Sequence, residues 1–113
     1  MIERYSFGRM TIAGRTYTDD VKIVAGRVRS DWWRARGHVI AAGDVQDVLD
    51  HGPEVLVVGT GASGMASVAD DLRRRAAAQG MELRVHQTAR AVDVFNALHA
   101  KGTRVDGAFH LTC

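Results

Sequence analysis

The stretch Glu54-Val55-Leu56-Val57-Val58-Gly59-Thr60-Gly61-Ala62-Ser63-Gly64 constrains the fold of this chain more than any other. A continuous apolar run rich in β-branched residues, preceded by Pro53 and closed by three glycines, reads as a buried central strand ending in a tight loop. Gly59, Gly61 and Gly64 have the G-x-G-x-x-G spacing, which lets a backbone approach a phosphate and offer N–H groups at a helix N-terminus. A dinucleotide site also needs an acidic residue about 20 positions on, at the end of the next strand, to hold the ribose hydroxyls. Here that strand ends Val85-His86-Gln87. Ser67-Val68-Ala69-Asp70 reads as a capping box with Asp in place of Glu, which starts the helix at Val68 and leaves Gly64 outside it. A structural turn or a shallow anion nest is therefore favoured over NAD binding, and no cofactor is expected.

With 113 residues the chain can bury a real core as one domain over residues 1–113, but cannot hold a full dinucleotide fold plus a substrate domain. Its 15 Lys+Arg are nearly matched by 13 Asp+Glu, so the charge balance does not demand a nucleic-acid partner, and none is expected. Arg73-Arg74-Arg75 is the one basic run and reads as a solvated helix surface. No membrane-length apolar run or signal peptide is visible, so membrane insertion is not expected. A single cysteine, Cys113, rules out an intrachain disulfide and fits a reducing compartment, so the chain reads as cytoplasmic.

From Tyr5 to Val28 short β-prone pieces alternate with glycines, which predicts an antiparallel meander with turns at Ala13-Gly14-Arg15 and Ala25-Gly26-Arg27 and a bulge at Gly8. Asp44 to Asp50 reads as a short helix with Asp44 as its N-cap. After the hub strand come a helix from Val68 to Gln79, a strand Glu82 to His86, a helix from Ala89 to Ala100 capped by Thr88, and a strand Arg104 to His110. Ala91, Val92, Val94, Phe95 and Leu98 share one arc of the last helix, as expected where a helix covers a sheet. Strand-helix alternation with short connections implies right-handed crossovers. The predicted fold is a single α/β domain: a central mixed sheet with a parallel βαβαβ C-terminal half, an N-terminal antiparallel meander, and helices packed on the sheet.

In such a sheet ligands collect at the carboxyl ends of the parallel strands. Gly59-Thr60-Gly61, His86-Gln87-Thr88 and His110-Leu111-Thr112-Cys113 all end there, which makes Gly59, Thr60, Gly61, Ser63, Gly64, Thr88, His110 and Cys113 the candidate ligand-binding set. His110 and Cys113 are three positions apart, but no acid lies near either His86 or His110 in sequence to complete a triad, so no catalytic residue is assigned. Histidines and the cysteine lack paired metal-ligand spacing, and no metal is expected. Asn96, at the border of the apolar arc, is read either as a hydrogen-bond donor into the site or as a tie to loop backbone.

Both tryptophans sit together in Ser30-Asp31-Trp32-Trp33-Arg34-Ala35-Arg36-Gly37-His38. On a strand adjacent side chains face opposite ways, so one Trp in the core leaves the other at the surface, where Trp and Arg are common binding hot spots. Trp32, Trp33, Arg34 and His38 are thus the candidate partner-binding residues.

The order VLVVGTG from Val55 to Gly61, Thr88 with Ala91 and then Phe95-Asn96-Ala97-Leu98, the closing His110-Leu111-Thr112-Cys113, and the Trp32-Trp33-Arg34 and Gly37-His38 region resemble the Mth-type domain family. That family includes the adipogenesis-associated Mth-type protein and mitochondrial complex I assembly factor 3. The resemblance covers nearly the whole chain, and Phe95 stands where many members have Tyr. It implies a single α/β domain with no established catalytic activity or cofactor, and protein partners of the kind found in respiratory-complex assembly. Two functions follow as expectations: a non-catalytic binding or assembly domain using the Trp face, or a small-molecule or anion binder using the glycine loop with His110 and Cys113. Edges of a small mixed sheet can also pair with a second copy, which leaves a homodimer open.

Overall fold

A computed structural model describes residues 1–113. Ten strands and three helices follow in the order β1 (Ile2–Ser6), β2 (Arg9–Ile12), β3 (Arg15–Tyr17), β4 (Val21–Val24), β5 (Arg27–Arg29), β6 (Val39–Ile40), α1 (Gln46–His51), β7 (Val55–Thr60), β8 (Ser67–Val68), α2 (Asp70–Ala78), β9 (Glu82–His86), α3 (Thr88–Ala100) and β10 (Val105–His110). The central sheet has the order β5-β4-β10-β7-β9. Its β10-β7-β9 half is parallel and β4-β5 extend it antiparallel, so the α/β prediction and the hub position of β7 hold. Every residue of β7 and β10 is buried, as continuous apolar strands in a covered sheet must be.

The meander divides its work. β4 and β5 join the central sheet, while β1-β2-β3 form a separate antiparallel sheet. Side-chain alternation then builds two cores. Val55, Val57, Val105 and Phe109 face α3 and the small sheet, together with Met10, Ile12, Val21 and Ile23. On the other face Leu56, Val58 and Ala108 pack with Val45, Val48, Leu49, Leu72, Ala76 and Trp32. The predicted arc of α3 is the buried one, with Ala91, Val92, Val94 and Phe95 in the core. Asn96 takes the second of its two expected roles: its amide accepts from Ile2 N at 3.0 Å and donates to Ile2 O at 2.7 Å, tying β1 to α3.

Four local expectations are corrected. Ser67 does not cap a helix at Val68. Ser67–Val68 pair in parallel with Val39–Ile40, with Ser67 N–H donating to His38 O at 2.9 Å, and the helix begins at Asp70. Strand partners offered by tertiary structure have displaced a local cap. Asp44 is not the N-cap of α1; it lies within a 3-10 turn over Ala42–Val45, where its carboxylate accepts from Ala41 N at 2.9 Å. Thr88 is the first residue of α3 rather than its cap, which is Gln87. Gly8 makes the β1–β2 turn, and the ladder irregularity falls instead between Ile2 and Arg4.

Candidate functional site

The carboxyl ends of β7, β9 and β10 do converge, through hydrogen bonds within the chain. Gly61 N–H donates to Thr88 Oγ1 at 2.8 Å, and the same hydroxyl donates to His110 O at 2.6 Å, bridging two strand ends through one fully buried side chain. Thr60 Oγ1 donates to His86 O at 3.0 Å. The glycine loop wraps around residues 111–113: Ala62 N–H donates to Thr112 O at 2.6 Å and Met65 N–H to Cys113 O at 3.0 Å. Gly64 N–H closes on Gly61 O at 3.2 Å. Gly59 lies against Thr88 and Phe109, and Ser63 and Cys113 are exposed. The donors that the glycine spacing suggested for a phosphate are thus turned mostly on the chain's own backbone. Thr88→Val keeps the shape but strands Gly61 N–H; a loss of about 1–3 kcal/mol in chemical denaturation is the expected result.

His110 is placed differently. It shares a face of β10 with Asp106 and Ala108, away from α3. The β4–β10 ladder pairs Phe109 with Val21, which brings His110 alongside Asp20. His110 Nδ1 lies 2.7 Å from Asp20 Oδ2 and 3.1 Å from Arg34 Nη2; the shorter contact, to a carboxylate that can only accept, is met by the tautomer with the proton on Nδ1, while Arg34 Nη2 has its acceptor in Gly37 O at 2.6 Å. Asp20 Oδ1 accepts from Leu111 N at 2.8 Å, and Arg34 Nη1 donates to Asp20 Oδ2 at 2.7 Å. Burial works to raise the Asp20 carboxyl, but the bonds from His110, the Leu111 amide and Arg34 outweigh it and hold the pKa below the ordinary carboxylate value. Tyr5 donates to Leu111 O at 2.9 Å, and its phenol is raised by burial and by the Asp20 charge.

Arg34 is fixed from several sides. Nε and Nη2 donate to Gly37 O at 2.9 and 2.6 Å, and the guanidinium lies 4.9 Å from the centre of the Trp32 ring. Trp32 is anchored in turn by Nε1–H donating to Asp44 O at 2.9 Å. The tryptophans separate as expected, Trp32 at 7% and Trp33 at 82% exposure, although they lie in the loop after β5 and not on a strand. His38 is exposed, with its ring edge-on to His110 at 5.8 Å between centroids.

These residues line one cleft of about 280 Å³, walled by Asp19, Asp20, Trp32, Trp33, Arg34 and His110. The His110 side chain is only 7% exposed, and its Nε2 has no hydrogen-bond partner. Asp19 and Asp31 form the outer wall; a hydrogen bond with Asp31, reinforced by the like charge, raises the Asp19 carboxyl above its ordinary value. The structure therefore joins His110 from the ligand set with Trp32, Trp33 and Arg34 from the partner set, and leaves the glycine loop and Cys113 outside the cleft. Asp20 was invisible from sequence because it stands 90 positions from His110. The available signal was the acidic pair Asp19-Asp20 directly before a strand, which only the strand register connects to an imidazole. No group of three or more His, Cys, Asp or Glu is arranged to hold a metal ion.

Comparison with known proteins follows the same outline. A conserved hypothetical protein from Pyrococcus horikoshii is 24% identical and superposes with a TM-score of 0.84 over 100% of this chain and 99% of its own. An outer membrane protein from Bartonella henselae is 21% identical, with a TM-score of 0.84 over 99% of this chain and 94% of that one. A Mth938-like domain from Bordetella pertussis is 22% identical, with a TM-score of 0.78 over 97% and 84%. At these identities the likeness establishes the fold. The family model described as "Protein of unknown function (DUF498/DUF598)" matches residues 2–110, and the chain accordingly belongs to this family of Mth938-like domains.

Proposed function

We propose that the chain is a non-catalytic binding domain that docks a protein partner at the cleft beside Trp33. The observation that carries this reading is a tryptophan left 82% exposed at the wall of a cleft whose other members, Trp32, Arg34 and Asp20, are locked by hydrogen bonds. A rigid aromatic anchor beside a preorganised polar wall is the composition of an interface hot spot. Asp19 and Asp31 on the outer wall favour a basic segment of the partner, whose Lys or Arg can also lie on the Trp33 ring. The resemblance to a family with a branch in respiratory-complex assembly supports subunits of such complexes, met in the cytoplasm, as the partners we infer.

The test is affinity capture from host lysate with the intact chain and a Trp33→Ala variant, followed by mass spectrometry. Truncating so exposed a side chain should shift stability by no more than about 0.5 kcal/mol. The expected result is a defined set of partners that the folded variant no longer retains. Equal recovery by both chains would remove Trp33 from the interface.

A second reading has its own support. The unpartnered, buried Nε2 of His110 suits a small polar ligand in the same cleft, held by His110 beside Trp32 and Thr112. Native mass spectrometry of gently purified protein distinguishes the two, since a small ligand adds a discrete mass that His110→Ala abolishes.

A further inference from the structure

At the opposite end of β10 a second cavity of about 280 Å³ opens among α1, α3, the β4–β5 turn and the start of β10. Asp106 is the second residue of β10 and its side chain is 1% exposed, an ionisable group in the middle of a buried strand. Both its oxygens are turned inward on the protein: Oδ1 accepts from Ala25 N at 3.2 Å and Oδ2 lies 2.8 Å from His51 Nδ1. Because the carboxylate accepts, it fixes the proton of His51 on Nδ1 and leaves Nε2 as an acceptor, so His51 serves Asp106 and not an anion.

The other charged or titratable groups on the cavity wall are His51, His99, Arg104 and the Met1 ammonium, which is turned to Asn96 Oδ1. Arg104 is braced by donation to Gly52 O and makes no ion pair, so most of its donors are available. His99 lies flat over Phe95, with ring centroids 6.1 Å apart. Met1, Ile23, Phe95 and Val105 supply apolar wall. Asp106 also borders the cavity, but its charge is met by the Ala25 amide and the His51 N–H, and Arg104 is the cation on the wall with donors left for a ligand. The arrangement is the converse of the acidic cleft at the other end of the sheet.

We propose that this cavity binds a small organic anion, a carboxylate carried on an apolar body. Arg104 takes the head group and Phe95 and Val105 meet the body. Benzoate is a suitable probe and benzamide its uncharged counterpart. In ¹⁵N-resolved NMR titrations benzoate is expected to shift the amide signals of Ala25, Gly26, Val105 and Asp106 saturably, and benzamide at the same concentration to leave them in place. Arg104→Gln should weaken benzoate at least about tenfold, the loss of one charge-assisted hydrogen bond. Should that variant fail to give a folded spectrum, Arg104→Met, which keeps the length of the side chain and removes its charge, carries the same expectation. The proposal is overturned by an absence of saturable shifts at these amides, by equal response to benzamide, or by affinity unchanged in the folded variant.

Discussion

Replacing Asp20 by alanine is expected to lower stability by about 3 kcal/mol at neutral pH, measured as the change in chemical-denaturation free energy. The carboxylate is the common acceptor for three donors from distant parts of the chain: His110 Nδ1, Leu111 N and Arg34 Nη1, at 2.7, 2.8 and 2.7 Å. Removing it leaves a guanidinium only 5% exposed and an imidazole only 7% exposed without their anion. Truncation of one partner in such a group costs more than the group's net worth, because the survivors remain desolvated. Asp20 itself is 15% exposed, which keeps the figure below the extreme for fully buried pairs.

The acid side supplies an independent check. Since the Asp20 pKa is lower in the folded chain than in the unfolded one, its contribution is complete above the unfolded value of about 4 and is lost as pH falls through the folded value. Denaturation of the two chains at a series of pH values should therefore show a gap that is constant near neutrality and narrows once the pH drops below about 4. A gap that widens on acidification would mean that the carboxylate is not held by its three donors.

How far the sequence discloses such features depends on the range of the interactions that create them. Val55 to Val58 could only be a buried strand, and the period of α3 named its buried arc, because burial and helical pitch act on consecutive residues. Ser67-Val68 failed for the complementary reason: a capping box is a local preference worth about 1 kcal/mol, and the backbone of Val39–Ile40 supplied a competing partner. The cleft required more still. Asp20, Arg34 and His110 each appear in sequence with ordinary neighbours, and only the antiparallel register of β4 on β10 sets a carboxylate beside the imidazole. The separation of the tryptophans was legible as a two-sided pair, but the exposed one's place beside Asp19 and Asp31 was not.

Gly61→Ala is the second large effect, and it tests what the glycine loop is for. Gly61 has φ of +105°, a region costly for any residue with a Cβ, and an added Cβ would stand 2.5 Å from the carbonyl carbon and 2.6 Å from the carbonyl oxygen of Cys113. Those are backbone atoms, held by the bonds from Ala62 and Met65 to Thr112 and Cys113, so relief by a side-chain rotation is closed. The expected loss is about 3 kcal/mol or more, combining backbone strain with the collision. Gly14→Ala separates the two terms, since Gly14 has φ of +81° with nothing within 4 Å of its added Cβ, and should lose only about 1 kcal/mol. Hydrogen exchange at Ala62 and Met65 should accelerate in the Gly61 variant and not in the Gly14 variant. Equal losses in both chains, with exchange unchanged, would mean that the loop does not clasp residues 111–113; unequal losses with the exchange effect would show that the glycine spacing, read first as a cradle for phosphate, serves the close approach of the chain to itself.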